Sequence, residues 1–361
     1  MIALRFPFFT TIIWIFFLIP LTVNAHPGGL DDNGGHRDKT TGEYHCHRTD
    51  CISPPSPTPK DNLDIVSFNI QFLGHFKDRD NTALANVLRP FDIVVVQELV
   101  APPYRGQYPD GTSYKADKEA ELFFNVMSAN GFSYILSEED TGTNDVIHKN
   151  SAATEWWVSF YKADKVTPAN DLPHGFLADD RSNNVDYERV PYATAFRTRN
   201  KGNDFVLISV HLQPGDRDAD TKRRKHELTS IATWIDVNDE KEKDFFVIGD
   251  MNFENCDEIS LILPANYHVL NSGENCLTTN TNIRGPRPYD NVLLPPSSVN
   301  GLSNGGSFRV INLIEAMRSE WFQDFTTPYP GDKPYNHNAF RTRYSDHHPI
   351  HFRLLINVDD D

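Results

Sequence analysis

The stretch IVSFNIQF, residues 65–72, decides the fold of this chain. Its apolar side chains stand at positions 66, 68, 70 and 72, and its polar side chains at positions 67, 69 and 71. Such alternation predicts a β-strand that packs one face and carries polar groups on the other. The chain repeats this arrangement, an apolar run joined to polar residues, in four more motifs: VVQEL (95–99), ISVHL (208–212), IGDMNF (248–253) and YSDHHPI (344–350).

Further elements follow from the same kind of pattern. Strands are predicted at residues 93–97, 156–161, 193–198, 205–212, 245–249, 291–294 and 350–355. Helices are predicted at residues 118–130 and 221–237, where Leu228, Ile231 and Ile235 would face the core. Strands interspersed with helices predict an α/β (α+β) chain of two packed sheets covered by helices. The basic run Lys222 to Lys225, at the start of the second helix, indicates a solvated charged face.

The first residues have the pattern of an export signal. Arg5 precedes an apolar run at residues 6–23, and a small-residue cleavage site ends at Ala25. This predicts a secretory signal peptide over residues 1–25. An uncleaved membrane anchor is the alternative, but Pro7 and Pro20 interrupt the run. We expect a secreted or periplasmic protein, exported by a bacterium, with no membrane attachment after cleavage.

Three segments follow. Residues 26–52 are rich in Gly, His and Asp, and residues 53–62 form a Pro-rich, extended linker. Residues 63–361 indicate a single α/β domain, which we expect to be a monomer.

Four cysteines fit an exported protein, and the simplest of the three connectivities pairs them locally: Cys46 with Cys51 and Cys256 with Cys276.

Net charge limits how a polymer could be bound. The 361 residues carry a formal net charge of −16. A protein this acidic cannot hold nucleic acid through a global positive field. A nucleic-acid substrate would therefore need local Lys or Arg groups and bound cations.

Acidic and amide side chains stand at the ends of the predicted strands. Glu98 and Asp250 each end an apolar run, Asn252 follows two residues later, and Asp346 precedes the last strand. Their hard oxygen atoms suit Mg²⁺, Mn²⁺ or Ca²⁺. One such residue alone more often caps a turn. Phosphodiester hydrolysis needs cations at the phosphate oxygens. The four residues, which follow one another in a fixed order along the chain, therefore predict one metal-dependent site.

Two histidines stand in the same motifs. His211 ends the run FVLISVH, and His347 opens the HHP of the last motif, while alternation turns His348 away. A histidine activates water or protonates a leaving group, and a carboxylate usually fixes its tautomer. Two acids that directly precede strands are the candidate partners: Glu155 and Asp290.

Together the motifs S-F-N-I, Q-E, S-V-H, G-D-x-N and S-D-H-x-P resemble the endonuclease/exonuclease/phosphatase superfamily, most closely its DNase I-like secreted nucleases, over about residues 63–355. The resemblance implies a four-layer α/β sandwich, two packed and mainly antiparallel sheets flanked by helices. It implies Mg²⁺ or Mn²⁺ as cofactor, with Ca²⁺ in a structural role. The implied roles are metal binding by Asn69, Glu98 and Asp346, phosphate binding by Asp250 and Asn252, and two catalytic couples, His211 with Glu155 and His347 with Asp290.

Flanking residues refine the resemblance. Arg189 in YERVPYATAF matches the family's phosphate-contacting strand, and Cys256 matches a half-cystine of the secreted enzymes. QELVAP differs from the Q-E-T-K of the cytoplasmic repair branch, and Val100 replaces an Arg that reads duplex DNA. We therefore expect contacts with duplex DNA to differ from those of the mammalian enzyme. Two more candidates for contact with substrate phosphate precede the last motif: Arg341 and Arg343. The basic run at residues 222–225 is a further candidate for contact with the DNA backbone, although a solvated charged face is the favoured interpretation.

Residues 26–52 resemble a small YHYH-type module of bacterial exported proteins, most specifically in GEYHCH at residues 42–47. Gly35 stands where that module usually has a cysteine. Four histidines are candidate ligands of a transition metal: His26, His36, His45 and His47. The alternative is a disordered polar leader.

The sequence thus predicts a secreted, divalent-metal-dependent endonuclease that hydrolyses DNA, with RNA as a further candidate substrate, by attack of water on phosphorus. A phospholipid phosphodiesterase of the same fold, such as a sphingomyelinase, is one alternative, but it would need an exposed aromatic hairpin. The paired Trp156 and Trp157 stand in a predicted strand instead. A non-catalytic binding protein is the second alternative, and it would be expected to have lost part of the polar set.

Overall fold

The computed structural model describes residues 35–37, 44–46, 62–141, 154–181, 184–200, 202–274, 276–301, 308–324, 328–331 and 335–355. The chain divides into two compact units, Met1–Pro59 and Lys60–Asp361. In the described part of the chain, no helix is long and apolar enough to cross a membrane. The predicted signal peptide, residues 1–25, lies outside the described residues, and so does nearly all of the predicted linker, residues 53–62.

The first unit contains a short antiparallel pair of strands. β1, Gly35–Arg37, lies beside β2, Tyr44–Cys46, and the backbone of His36 stands opposite that of His45. Two of the four predicted transition-metal ligands lie outside the described residues: His26 and His47. The metal site of this segment therefore stays a prediction.

The second unit is built on two sheets. The first sheet has six strands: β3 Asn62–Leu73, β4 Ile93–Leu99, β7 Phe132–Leu136, β8 Trp156–Lys162, β16 Arg309–Val310 and β17 Ile350–Leu355. The second has seven: β9 Val166–Pro168, β10 Gly175–Phe176, β11 Tyr192–Thr198, β12 Asp204–His211, β13 Phe245–Asp250, β14 His268–Val269 and β15 Asp290–Leu294. A separate small hairpin consists of β5 Gly106–Gln107 and β6 Ser113–Tyr114.

Strand order places the motif strands at the centre of each sheet. The orders are β16-β17-β3-β4-β8-β7 and β10-β11-β12-β13-β15-β14, with β9 also paired to β11. Among the described strands, neighbours are antiparallel except for β3 with β4 and β12 with β13. Both parallel pairs join motif strands, so their carboxyl ends lie at a shared edge of each sheet.

Helices cover the outer faces of the sheets. Against the first sheet lie α1 Asn81–Leu88, α2 Lys118–Ala129, α5 Leu313–Ala316, α6 Arg318–Asp324 and α7 His337–Arg343. Against the second lie α3 Asp218–Asn238 and α4 Cys256–Ile262. Three clusters of buried apolar side chains fill the three spaces between these layers. The predicted fold class, a four-layer α/β sandwich with two mainly antiparallel sheets, is confirmed.

Alternation along β3 shows why the polar residues end up between the sheets. Ile65 packs in the cluster between the two sheets, whereas Phe68 packs against the helices. Ser67, Asn69 and Gln71 continue the side of Ile65, and all three are buried. The polar face of this strand is therefore turned toward the second sheet, not toward solvent.

The start of α3 differs from the sequence prediction. The helix begins at Asp218, so the basic run lies in its second turn and not at its start. Lys222 and Lys225 are exposed, as a solvated face requires. Arg224 is fully buried, and its guanidinium donates to Glu258 at 2.8 and 2.5 Å. The prediction of a solvated face is wrong for Arg224, because a helix that packs on a sheet turns some of four consecutive residues inward.

The local disulfide predicted after the GDMNF motif is present. Cys256 is bonded to Cys276, with a Cα–Cα distance of 5.8 Å. The bridge ties the first residue of α4 to the loop that follows β14. Closing a loop of this length contributes about 3 kcal/mol in the chain-entropy account. Cys51, the predicted partner of Cys46, lies outside the described residues.

Candidate active site

Three neighbouring strands of the second sheet end in ionisable residues. Pairing places His211 of β12 opposite Asp250 of β13, and Asp250 opposite Asp290 of β15. Each of the three continues the side of its strand that faces the first sheet, where Leu207, Ile248 and Val292 fill the core between the sheets. These three ionisable residues therefore close one end of the core between the two sheets.

The first sheet adds Asn69, which joins the two sheets. Its side-chain nitrogen donates to Glu98 Oε1 and to Asp250 Oδ2, both at 2.9 Å. Its side-chain oxygen accepts from the backbone N–H of Gln71 at 2.9 Å. Because Asn69 is fully buried, its amide fixes the distance between the acids of the two sheets.

Glu98 reaches the site through an irregular backbone. Simple alternation would put Gln97 between the sheets and Glu98 on the helix side. Instead φ is +61° at Glu98, and the pairing of β4 with β8 shifts register between Val96 and Leu99. Such a bulge re-aims a side chain at the cost of unfavourable backbone energy, of order 1–3 kcal/mol for a residue outside the common regions. The sequence carries no signal for this turn.

The first histidine–carboxylate couple joins β12 to the start of β8. His211 Nδ1 lies 2.9 Å from Glu155 Oε1, and Glu155 Oε2 accepts from the backbone N–H of Glu98 at 2.6 Å. Arg189 Nε is 3.2 Å from Glu155 Oε1. Burial alone would raise the pKa of Glu155, but His211 and Arg189 outweigh it and lower the pKa. Burial and Arg189 oppose protonation of His211, yet Glu155 and Asp250 raise its pKa.

The second couple joins the last motif to β15. His347 Nδ1 lies 2.8 Å from Asp290 Oδ2. Burial opposes charge on His347, but Asp290 and Asp250 raise its pKa well above the usual range. Burial raises the pKa of Asp290 itself. The ring of Tyr289 lies 5.5 Å from that of His347 and covers it.

Asp250 stands between the two couples. Its Oδ2 is 3.5 Å from His211 Nε2 and 3.6 Å from His347 Nε2. Burial opposes ionisation of Asp250, but His347 and His211 outweigh it and lower its pKa. Asn252 supports this carboxylate by donating its backbone N–H to Asp250 Oδ1 at 2.9 Å, with φ of +52° at Asn252. In His211 and His347 the carboxylate partner lies at Nδ1, so the other ring nitrogen, Nε2, faces Asp250. The two Nε2 atoms are therefore directed at one shared position.

Asp346 completes the acidic group on the side of the first sheet. Its Oδ2 accepts from Gln71 Nε2 at 2.8 Å and lies 3.4 Å from an Arg341 nitrogen. Its Oδ1 is buried, lies 4.0 Å from His347 Nε2 and has no hydrogen-bond partner in the part of the chain that the structure describes. Arg343, predicted to contact phosphate, donates to the carbonyl oxygen of Asp78 at 2.8 Å and lies 3.6 Å from Asp80. Arg341 is therefore directed at the acidic group, while Arg343 braces the loop before α1.

The donor set fits a divalent cation. Among the described residues, two groups bring ligand atoms within 4.8 Å of one another: Glu98, His211 and Asp250, and Asp250, Asp290 and His347. The unpaired oxygen of Asp346 adds a hard donor without a partner in the described structure. Carboxylates crowded at a buried position repel one another unless cations compensate them, and oxygen-rich sets suit Mg²⁺ and Mn²⁺. Glu98 and Asp250 belong to the first group and are joined through the Asn69 amide, while Asp346 Oδ1 lies 4.0 Å from His347 Nε2 of the second group.

Arg189 and His348 complete the account of the predicted site residues. Arg189 is mostly buried, and its Nη1 has no hydrogen-bond partner among the described residues. Because that nitrogen is buried, the predicted contact of Arg189 with a substrate phosphate stays a prediction. His348 turns away from the site, as alternation predicts, and its Nδ1 accepts from the backbone N–H of Leu313 at 2.9 Å. Burial and the charge of His347 lower the pKa of His348 to about 4.

Several supporting residues were not assigned from the sequence. Ser345 donates its hydroxyl to the carbonyl oxygen of Asn69 at 2.8 Å and accepts from the backbone N–H of His347 at 3.0 Å. Thr279 accepts from the backbone N–H of Asp290 at 2.9 Å. Arg79 is buried and donates to the carbonyl oxygens of three residues that flank the site: Ile70, Gln71 and Tyr344. Gln71 and Ser345 stand inside the quoted motifs, whereas Thr279 and Arg79 have no sequence signal.

Comparison with known proteins supports the fold. No family model matches the chain. It is 24% identical over 295 residues to a protein named deoxyribonuclease from Thioalkalivibrio sp. (strain K90mix), covering 80% of this chain and 70% of that one. The catalytic domain of human Nocturnin, solved with a bound sulfate anion, is 14% identical, with a TM-score of 0.51 and coverage of 82% and 94%. An endonuclease/exonuclease/phosphatase family protein from Bacteroides thetaiotaomicron is 14% identical, with a TM-score of 0.46 and coverage of 82% and 98%. At 14% identity the likeness to the Nocturnin domain shows a shared fold alone.

Proposed function

We propose that this protein is a divalent-metal-dependent nuclease that hydrolyses phosphodiester bonds of DNA. The observation that carries the proposal is the position of Asp250 between two histidine–carboxylate couples, 3.5 Å from His211 and 3.6 Å from His347. Two imidazole Nε2 atoms thus face one small space lined by acids. A site with a proton acceptor, a proton donor and cation ligands around one position suits hydrolysis of a phosphate ester.

The two couples divide the proton transfers. Each carboxylate holds the Nδ1 proton of its histidine, so Nε2 is the atom that exchanges a proton. One histidine takes a proton from the attacking water, and the other returns a proton to the leaving oxygen. Arg189 lies 3.2 Å from Glu155 Oε1 and so helps to hold the carboxylate of the first couple in place. A divalent cation held by Glu98 and Asp346 would supply positive charge at the phosphate oxygens.

Nucleic acid is the substrate class we favour. The distant relative named deoxyribonuclease supports DNA, and RNA is a further candidate. The lipid alternative needs an exposed aromatic hairpin, but Trp156 and Trp157 are buried in β8 and the core. Export, endonucleolytic cleavage and a monomeric state remain part of the proposal, and they rest on the sequence patterns given above.

The test is a substrate and metal panel. The purified protein is incubated with supercoiled plasmid, RNA and sphingomyelin vesicles, each with Mg²⁺, Mn²⁺, Ca²⁺ or EDTA. We expect plasmid to be nicked and then linearised with Mg²⁺ or Mn²⁺, and to remain intact in EDTA. Release of phosphocholine with intact plasmid would support the lipid alternative instead. Intact DNA under every metal condition overturns the nuclease proposal.

A further inference from the structure

An aromatic cluster lies at the end of β3, directly beside the site. The rings of Phe72 and Phe76 are 5.8 Å apart, and His75 is 6.2 Å from Phe72 and 5.4 Å from Phe76. His75 is exposed, and both phenylalanines are half-buried. The three rings are inclined to one another by 51–82° and together present aromatic surface at the surface of the protein.

The cluster is bonded to the proposed metal ligand. The backbone N–H of Phe72 donates to Glu98 Oε2 at 3.0 Å, and the N–H of His75 donates to the carbonyl oxygen of Phe72 at 2.9 Å, which closes the turn. A guanidinium supports the cluster from the interior, since Arg79 lies 5.6 Å from the Phe76 ring centroid. A ligand on these rings would therefore be adjacent to Glu98.

The backbone that presents the cluster is held in an unfavourable conformation. φ is +57° at Gln71 and +51° at Phe72, and a bulky residue with positive φ is an outlier. At Gly74, with φ of +100°, an added Cβ would lie 2.6 Å from Ala101 Cβ, so the turn is packed tightly against that residue. A half-buried phenylalanine recovers only part of the burial energy that would offset such strain. Strain of this kind, next to a site, points to a function for the segment.

On the basis of the proposed function, we propose that Phe72, His75 and Phe76 form a stacking surface for an unpaired nucleobase, so that single-stranded nucleic acid is a preferred substrate. Stacking on aromatic rings holds bases without sequence preference, and its contribution to affinity adds to that of contacts with the charged backbone. An acidic chain with a net charge of −16 needs a source of affinity of this kind. Lys77 and Asp78 follow the cluster directly and are exposed. Because burying their charges in lipid would be costly, the cluster is better suited to bind a nucleic acid in water than to insert into a membrane.

Binding of a cleavage-resistant oligonucleotide tests the proposal without requiring catalysis. The probe is a fluorescein-labelled phosphorothioate oligothymidylate in Mg²⁺, compared with an abasic phosphorothioate strand of equal length. We expect the protein to bind the thymidylate strand more tightly. Phe76→Leu should weaken binding of that strand roughly 5- to 100-fold, the range for one stacked base, with little change for the abasic strand. Tyr104→Leu, which removes a surface aromatic ring that packs against Phe124 and Tyr134, should leave both affinities unchanged.

His75→Ala serves as a second variant, because an exposed ring can be removed with little effect on folding, and melting curves show whether each variant is folded. The proposal is overturned if folded Phe76→Leu and His75→Ala bind the thymidylate strand as the wild type does. It is also overturned if both strands lose affinity equally. It is overturned as well if the variants lose only binding to sphingomyelin vesicles and keep their affinity for the thymidylate strand. Failure of the nuclease proposal would be seen separately, as intact DNA in the cleavage panel with base-dependent binding retained.

Discussion

Glu155 contacts three different groups of the candidate site. One of its oxygens meets His211 at 2.9 Å and Arg189 at 3.2 Å, and the other accepts the backbone N–H of Glu98 at 2.6 Å. It therefore orients a proton-transfer histidine, a candidate phosphate contact and the backbone of a candidate metal ligand. A charged oxygen that meets three groups is difficult to replace with a neutral amide of the same shape.

Glu155→Gln tests this connection at the residue scale. We expect turnover of DNA to fall roughly 10²- to 10⁴-fold, the contribution of a positioned acid or base, because the amide cannot hold the His211 proton as a carboxylate does. The pKa of His211 should also fall, since Glu155 is a group that raises it. Steady-state cleavage rates measure the effect, with the exposed Glu315→Gln as control. A rate equal to that of the wild type would refute the role.

The positions of the candidate residues were predictable where strand alternation continues to the strand end. Asn69, His211, Asp250 and Asp290 share a strand face with apolar core residues, so an apolar run followed by a polar residue placed them correctly. Glu98 reaches the site through a left-handed residue in a bulge, which no period predicts. Arg79 acts through backbone carbonyl oxygens, and a buried arginine has the same sequence appearance as an exposed one.

At the scale of elements, α3 secures two loops that carry site residues. Glu227 accepts the backbone N–H of Glu188, beside Arg189, at 2.8 Å and that of Gln213, beyond His211, at 2.9 Å. Arg224 donates to the carbonyl oxygen of Gln213 at 2.8 Å and pairs with Glu258 of α4. The helix thus fixes both ends of the segment 188–213, which carries Arg189 and His211.

Arg224→Met should destabilise the fold strongly. Removing one partner of a buried ion pair leaves an uncompensated charge on Glu258 and typically costs about 3–5 kcal/mol. The matched change Lys222→Met, at an exposed position of the same helix, should alter the free energy of unfolding by less than about 0.5 kcal/mol. Urea unfolding measures both variants. Equal midpoints for the two would show that the Arg224–Glu258 pair does not hold α3 and α4 together.

The sequence predicted α3 from its apolar spacing but not its first turn. Leu228, Ile231 and Ile235 are buried as that spacing requires. The helix begins at Asp218, where acidic residues at the first turn suit the helix dipole. The basic run was predicted to begin the helix, but it lies in the second turn. One sequence also does not show which of four charged residues is turned inward.

At the scale of the whole molecule, the candidate site exists only because two sheets pack face to face. Glu98, Asn69 and Asp346 belong to the half built on the first sheet, and His211 and Asp250 end strands of the second. Strands interspersed with helices predicted two packed sheets covered by helices, and the order of the motifs along the chain predicted their convergence on one site. It did not predict the register between the sheets, which depends on side-chain packing over the whole core, nor that the Asn69 amide would join acids from both sheets.

Hydrolysis of bis(p-nitrophenyl) phosphate by Asp250→Asn tests the central claim most directly, because this small diester needs the site but no polymer contacts. The control is Asp171→Asn, an exposed aspartate paired with Arg197 away from the site. In Mn²⁺ we expect the wild type and Asp171→Asn to release p-nitrophenolate at equal rates, and Asp250→Asn to be slower by roughly 100-fold or more with an unchanged melting transition. Full activity of folded Asp250→Asn would contradict a phosphodiesterase site centred between the two histidine couples.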